Sequence, residues 1–511
     1  MEPLMPYRFA RAIVCLIVFA SPMPAFAGDA VPFTVETEVL VRSGQPSPDG
    51  NGVFGDTFTP PLLNNAGQAL FVASLLATDN PDPIDDLGLY RAGVTDVTTM
   101  ARGGQLSAAG NQLSLQVLQL AQITRRQLMG IDSDGNAAFL ANDSDNQDAV
   151  YRSDGVTLST VVQQGQDAPF GDNLSIGPAA TGFLVNDAGQ LAYLLNSNTA
   201  NLLVRSDGLL TEAVFFTGQT LPGPNTLTAL RAFGFSNGGE VVARLNTASN
   251  SFGHFVGDPT TIRLINQTGA AAPDGLGTFV VDPRVPAAIN TQSDVAIVAG
   301  VDDILTDYVG VYVDRGEGLV EVTRTGDPTV GGDLVVLASG LKLNDGGDLL
   351  YSMVSSDNSR IQRLVLRRDG AEHPVASEGD LVAPTVSGTI NAVNGYTLNE
   401  SGQVLFFASL FVPSVPQVSG IYLYDPERGL AEVVRVGQAL SGGTITMLNA
   451  ALPLFPLEPN TIGNAQTGFN DAGQVAFSYT LDTGENGVAL STVQFVLPDL
   501  IFRDGFENLM P

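Results

Sequence analysis

Along most of its length the chain alternates short apolar stretches with turns rich in Gly, Asn, Asp and Pro. In "QVAFSY" the residues Val475, Phe477 and Tyr479 fall on one face and Ala476 and Ser478 on the other, the period of a strand. In "QALFVASL", from Gln68, both faces are largely apolar, which predicts a strand sandwiched between other layers. No long stretch after the N-terminus carries the 3.6-residue period of an amphipathic helix. The 56 glycines and 30 prolines fit many turns between short strands.

The turns repeat. A polar residue opens each at Asn64, Asp132, Asn186, Ser236, Asn290, Asn344, Asn399 and Asn470. Three residues later stand Gly67, Gly135, Gly189, Gly239, Ser293, Gly347, Gly402 and Gly473. Seven residues after the start stand Phe71, Phe139, Tyr193, Ala243, Ile297, Tyr351, Phe406 and Phe477. A short Asn, Asp or Ser side chain can bond the backbone two residues on and start a turn, and glycine supplies the positive φ a tight turn needs. Most spacings are 50 to 55 residues; the first and last, 68 and 71, carry insertions.

Two further strands complete each unit. One ends in a polar turn, as in "LYRAG", "VYRSDG" and "LVLRRDG"; the next runs into a glycine, at Gly104, Gly165, Gly218, Gly269, Gly326, Gly379 and Gly437. That makes seven fourth strands for eight turns. The missing one stands at the other end, in "TEVLVRSGQPSP" from Thr37 to Pro48, with its motif at Gly44–Gln45. The expected fold is therefore all-β: a β-propeller of four-stranded blades, eight favoured over seven, closed by the N-terminal strand pairing in the last blade. A sandwich or an open solenoid array is the alternative; a solenoid would need polar capping units, and none is evident.

The ends add a context. Arg8 and Arg11, the apolar run Ala12–Ala20 and the small-residue site Ala25–Ala27 read as a secretory signal peptide over residues 1–27. The run is shorter than the roughly 20 residues a spanning helix needs, so no membrane insertion is expected after cleavage. The expected domains are this signal, one repeat domain over 28–500 and a tail over 501–511. The one cysteine, Cys15, lies in the signal, which excludes a disulfide framework or a thiolate metal site from the mature chain. Net charge is −30, and removing Glu2, Arg8 and Arg11 makes it −31. That field disfavours nucleic acid and anionic lipid as partners.

The Asn-x-x-Gly-x-x-Ala-Phe phrase, complete at Asn470, Gly473, Ala476 and Phe477, resembles that of the NxxGxxAF tandem-repeat proteins exported by bacteria. The units at Ser236 and Asn290 depart from it, lacking the aromatic and, in the second, the glycine. The resemblance implies export and a repeat fold, without a general activity. The tail "DLIFRDGFENLMP" resembles a short C-terminal segment of some exported bacterial proteins, and Ile501–Pro511 reads either as a sorting tag or as a final strand and frayed end.

Candidate chemistry is sparse. "GFSNG", Gly234–Gly238, matches a nucleophile-elbow pattern, but a strand follows where that motif needs a helix, so Ser236 reads as a turn residue. His254 and His373 sit at different places in their repeats and read as ordinary surface or strand residues. "NDSDNQD", Asn142–Asp148, concentrates oxygen ligands; Asp143, Asp145 and Asp148 are the candidate calcium ligands, although the glycine and glutamate of an EF-hand loop are missing. No phosphate-cradling glycine loop is present, and no cofactor is evident. Catalytic residues are not assigned. The expectation is a monomeric exported scaffold that binds an unknown extracellular ligand or protein, with Asp79–Asp86, Asn111–Gln122 and Leu452–Gln466 as recognition loops. It would act outside the cell, at its surface or in the periplasm. The alternative is a secreted hydrolase or lyase acting on an extracellular polymer; its mark would be acids converging at the channel mouth with perturbed pKa values.

Overall fold

The computed structural model describes residues 33–79, 85–118, 127–166, 174–175, 183–197, 199–223, 225–248, 251–280, 287–303, 307–329, 332–356, 362–381, 388–412, 418–452 and 465–495. The signal, Cys15, the tail and most of the three expected recognition loops lie outside them.

The described strands form eight antiparallel sheets, the blades of a β-propeller. Blade 7 shows the unit: strands Thr389–Leu398, Val404–Phe411, Val418–Asp425 and Gly429–Arg435 pair in chain order. In several other blades the first strand is broken into two pieces along the same partner, as with Val53–Phe58 and Leu62–Leu63 in blade 1.

The ring closes as the repeat phase predicts. Phe33–Arg42 pairs antiparallel with Asn486–Phe495 as the fourth strand of blade 8, in register from Phe33↔Phe495 to Arg42↔Gly487 with one bulge. The N-terminal strand thus completes the last blade and covers the edge that Asn486–Phe495 would otherwise leave open.

The core lies between adjacent blades, since each sheet is apolar on both faces. Leu40, Val41, Ala476 and Val488 of blade 8 share one buried cluster with Phe54, Phe71 and Tyr90 of blade 1. The eight second-strand positions from Phe71 to Phe477 are all buried. Several face a third-strand tyrosine across the ladder: Phe71↔Tyr90, Phe139↔Tyr151 and Phe406↔Tyr422. In blade 5 a glycine two residues before the tyrosine makes room for it. A Cβ on Gly310 would sit 2.7 Å from the Tyr312 hydroxyl, so the ring folds back over bare backbone.

Candidate functional site: the channel mouth

The repeated turn does more than turn the chain. Asn64 Oδ1 accepts from the backbone N–H of Ala66 and Gln68, at 3.1 and 2.9 Å, as the sequence predicts. Its Nδ2, however, donates to the Asp132 carbonyl of the next blade at 2.9 Å. The same bond recurs from Asn186 to the Ser236 carbonyl, Asn290 to Asn344, Asn344 to Asn399, Asn399 to Asn470 and Asn470 back to Asn64, each at 3.1 Å. All of these asparagines are buried. Asp or Ser could start the turn, but Asp has no donor and Ser is too short to cross; the amide has both an acceptor for its own turn and a donor that reaches the neighbour. The glycine serves the same joint: Gly347 has φ +80°, and a Cβ there would lie 2.5 Å from Arg315 Nη1 of the preceding blade. That arginine donates to the Gly347 carbonyl at 2.9 Å, as Arg91 does to Gly135 at 2.8 Å.

One residue further on, a second ring surrounds the channel mouth. The backbone N–H of Asp187 donates to Asn237 Oδ1, Thr291 to Asp345 Oδ1, Asp345 to Glu400 Oε2, Glu400 to Asp471 Oδ1 and Asp471 to Asn65 Oδ1, at 2.5 to 3.1 Å. Asp187 Oδ2 also accepts from Asn237 Nδ2 at 3.0 Å. Asp187, Asp345, Glu400 and Asp471 therefore each commit one oxygen to a neighbouring blade. The other oxygen of each carries no hydrogen bond among the described residues, and all four acids line a channel cavity of about 160 Å³.

Gathering like charges has the expected electrostatic effect. Loss of solvation first, then Asp345, Asp471 and Asp187, pushes Glu400 up to about 7. Glu400 is exposed as a residue, but its carboxyl is turned into the ring, where Oε2 meets the Asp345 N–H. Burial, with Asp471, Asp345 and Asp132 adding to it, also raises Asp187.

Below this collar Leu63, Val185, Phe235, Ile289, Leu343 and Phe469 back the cavity as buried residues, while Thr397, Gln466 and Thr467 join them in a lining that is mostly polar. Lys342 is the polar exception on an inner strand that also carries Leu341 and Leu343. Gln466 reaches past blade 1 to the inner strand of blade 2. Its Nε2 donates to the Ile131 carbonyl at 2.6 Å and its Oε1 accepts from the Ile131 N–H at 2.9 Å.

Two of the three calcium candidates, Asp143 and Asp145, meet at the Asn111 amide, whose Nδ2 donates to an oxygen of each at 2.8 and 3.1 Å. Asp143 opens a turn of the same kind: its Oδ1 accepts from the N–H of Asp145 and Gln147, and its Oδ2 from Asn111 and Gln163 side chains. Asp145 is exposed. Asp148 is buried against Asn142, and burial pushes its carboxyl up to about 6. Among the described residues no group of three or more His, Cys, Asp or Glu is placed to hold a metal ion. Ser236 is a buried turn residue whose Oγ accepts from the Glu240 N–H, with the strand Val241–Thr247 after it. Of the surface and strand readings, His254 takes the strand, within Phe252–Gly257. It is fully buried, its Nδ1 is 2.8 Å from Asn266 Oδ1, and desolvation with Arg244 nearby drops it to about 4. Of the expected recognition loops, Leu113–Ser114 is a strand and Leu115 and Leu118 are core, while Gln466 is the channel clasp.

A family model described as a family of unknown function (DUF7453) matches residues 30–125, 118–382 and 353–498. The chain belongs to that family. No curated protein matches it. Among solved structures this DUF7453 chain is similar in shape to the Dos1 propeller, at 11% identity and a TM-score of 0.37, covering 89% of this chain and 95% of that one. It is similar to the WD40 domain of SCAP from fission yeast, at 10% identity and a TM-score of 0.38, covering 90% and 94%. It is also similar to the BP39L lectin from Burkholderia pseudomallei, at 13% identity and a TM-score of 0.33, covering 74% and 99%. Likenesses this faint say nothing of ligand or chemistry, and the fold rests on the sheet topology above. Among the described residues no helix is long and apolar enough to cross a membrane.

Proposed function

We propose that this protein is an exported binding scaffold whose recognition site is the carboxylate collar at the channel mouth. The observation that carries the reading is the division of labour at each acid: one oxygen fixed by a neighbouring blade, the other open to the channel. Acceptors held in place before the ligand arrives need little ordering on binding. Open carboxylate oxygens, with Thr397, Gln466 and Thr467 beside them, suit a ligand that donates hydrogen bonds. The charge of −30 repels anions, so an uncharged, hydroxyl-rich ligand fits best. Export is supported by the N-terminal signal pattern and by the resemblance to exported NxxGxxAF proteins.

The test is calorimetric titration of neutral oligosaccharides into wild type and into the double variant Asp345→Asn, Glu400→Gln. The amides keep an oxygen for the ring bonds and lose the charge. At least one oligosaccharide should bind, at least tenfold more weakly to the variant. Equal binding to both, or none to the wild type, overturns the reading.

A second reading has its own observation. Glu400, held near 7, would be about half protonated at neutral pH beside Asp345 and Asp471, as an acid catalyst of hydrolysis requires. Release of reducing ends from a neutral polymer, lost in Glu400→Gln, would establish it; binding without turnover would exclude it.

A further inference from the structure

Lys342 is the one lysine in the chain. It lies in the channel, on the inner strand Val335–Leu343 of blade 6. The equivalent position of the other blades, two residues before the turn's first residue, holds leucine, glycine, alanine or threonine, all buried. Lysine is a costly choice there. Its Nζ has no hydrogen bond and no ion pair among the described residues, and the surface it keeps is turned to the channel cavity. A buried ammonium without a counter-ion is disfavoured, and burial alone pushes this amine down to about 8. Structural lysines pair or reach bulk water; this one is half-buried, faces the channel and has no partner among the described residues.

We propose that Lys342 is a nucleophilic amine that captures a small, uncharged hydroxyaldehyde in the channel as an imine. Desolvation in a pocket is one of the ways a lysine amine is activated toward carbonyl compounds. The nitrogen lone pair attacks the carbonyl carbon, and the oxygen takes up a proton to give a carbinolamine. Loss of water, with the remaining N–H proton returned to solvent, leaves a C=N bond; amine and aldehyde become imine and water, and nothing is oxidised or reduced. The channel selects among carbonyl compounds. The collar of Asp187, Asp345, Glu400 and Asp471 accepts from hydroxyl groups and repels carboxylates, so a neutral hydroxyaldehyde enters and a keto acid does not. This selection rests on the collar being the recognition site; the amine chemistry does not.

The full mature protein is incubated with glycolaldehyde and cyanoborohydride, and adducts are located by peptide mapping, with the N-terminal amine as internal reference. Lys342 should be alkylated at pH 7 at least tenfold faster in native protein than in urea-unfolded protein, and the rate should level off above about pH 8. Glyoxylate, an anionic aldehyde, should react more slowly than glycolaldehyde. Labelling no faster than in the unfolded chain overturns the proposal, whatever Lys342→Arg does to folding. Fast labelling that is the same in Asp345→Asn, Glu400→Gln, with no preference over glyoxylate, keeps the amine and overturns the collar's selection.

Discussion

Six of the eight blade joints on the turn face are closed by an asparagine side chain, and two are not. In the joint from blade 2 to blade 3, Asp132 has no donor to give. Its carboxylate instead takes Arg152 Nη2 at 2.9 Å, and the Ser133 N–H donates to the Asp187 carbonyl at 3.1 Å. In the joint from blade 4 to blade 5, Ser236 is too short to cross. There the glycine position of the next blade is also changed, to Ser293, whose hydroxyl donates to Glu240 of blade 4. Arg263 then reaches the Ser293 carbonyl at 2.9 Å. Two departures that look independent in the sequence are two sides of one joint. Ser293 holds φ +66° without being glycine, a conformation that costs energy and that these contacts enforce.

That contrast can be broken most severely at the joint where the ring closes. Asn470→Asp places a buried carboxylate oxygen opposite the Asn64 carbonyl and should cost about 3 kcal/mol or more at pH 7 by urea unfolding. The reverse change, Asp132→Asn, should stay within about 1 kcal/mol, because it gains a bond to Asn186 and weakens the one to Arg152. Equal costs would mean that the amide donor is unimportant.

Truncation should separate the two kinds of joint by a smaller margin. Asn399→Ala removes the bond to the Asn470 carbonyl and takes the side-chain acceptor from the Gln403 N–H of its own turn, at a cost of about 1–3 kcal/mol, whereas Ser236→Ala should cost under about 1. Smaller again, Ser236→Asn supplies the missing donor toward Asn290 and should stabilise by about 0.5–1.5 kcal/mol. Destabilisation would show that the paired serines leave no room for the standard joint.

The smallest effect expected is electrostatic. An acid whose pKa is raised on folding, from 4.5 to about 7 for Glu400, favours the native state while protonated. Its penalty is absent below about 4.5, grows as pH rises and is complete above about 7. Glu400→Gln should therefore raise Tm by roughly 1–3 °C at pH 8 and leave it unchanged at pH 4. A shift of the same size at both values would trace the effect to packing.

Much of this architecture was legible because repeats advertise themselves. The phase of the Gly-Gln motif placed Thr37–Gln45 in the last blade before any contact was known, and Phe33–Arg42 pairs there. Half of the turn asparagine's role was legible too: its Oδ1 bonds are local, and local bonds follow from spacing. The other half links Asn470 to Asn64 across 406 positions, and nothing in one unit announces its neighbour. The collar was hidden for the same reason. Asn65, Asp187, Asn237, Asp345, Glu400 and Asp471 all stand just after the turn's first residue, yet their types vary and no motif marks them. A tally of rare residues would have singled out Lys342.

The sequence by itself determined the unit and the strand order within a blade and narrowed the count to seven or eight, because alternation and glycine placement act over a few residues at a time; the eight sheets are the structure's. It also fixed the −30 charge and so the partners that charge disfavours. Only the tertiary structure decided where a channel mouth would form and which acids would share it. Those groups stand 50 or more residues apart along the chain and become neighbours only when the ring closes.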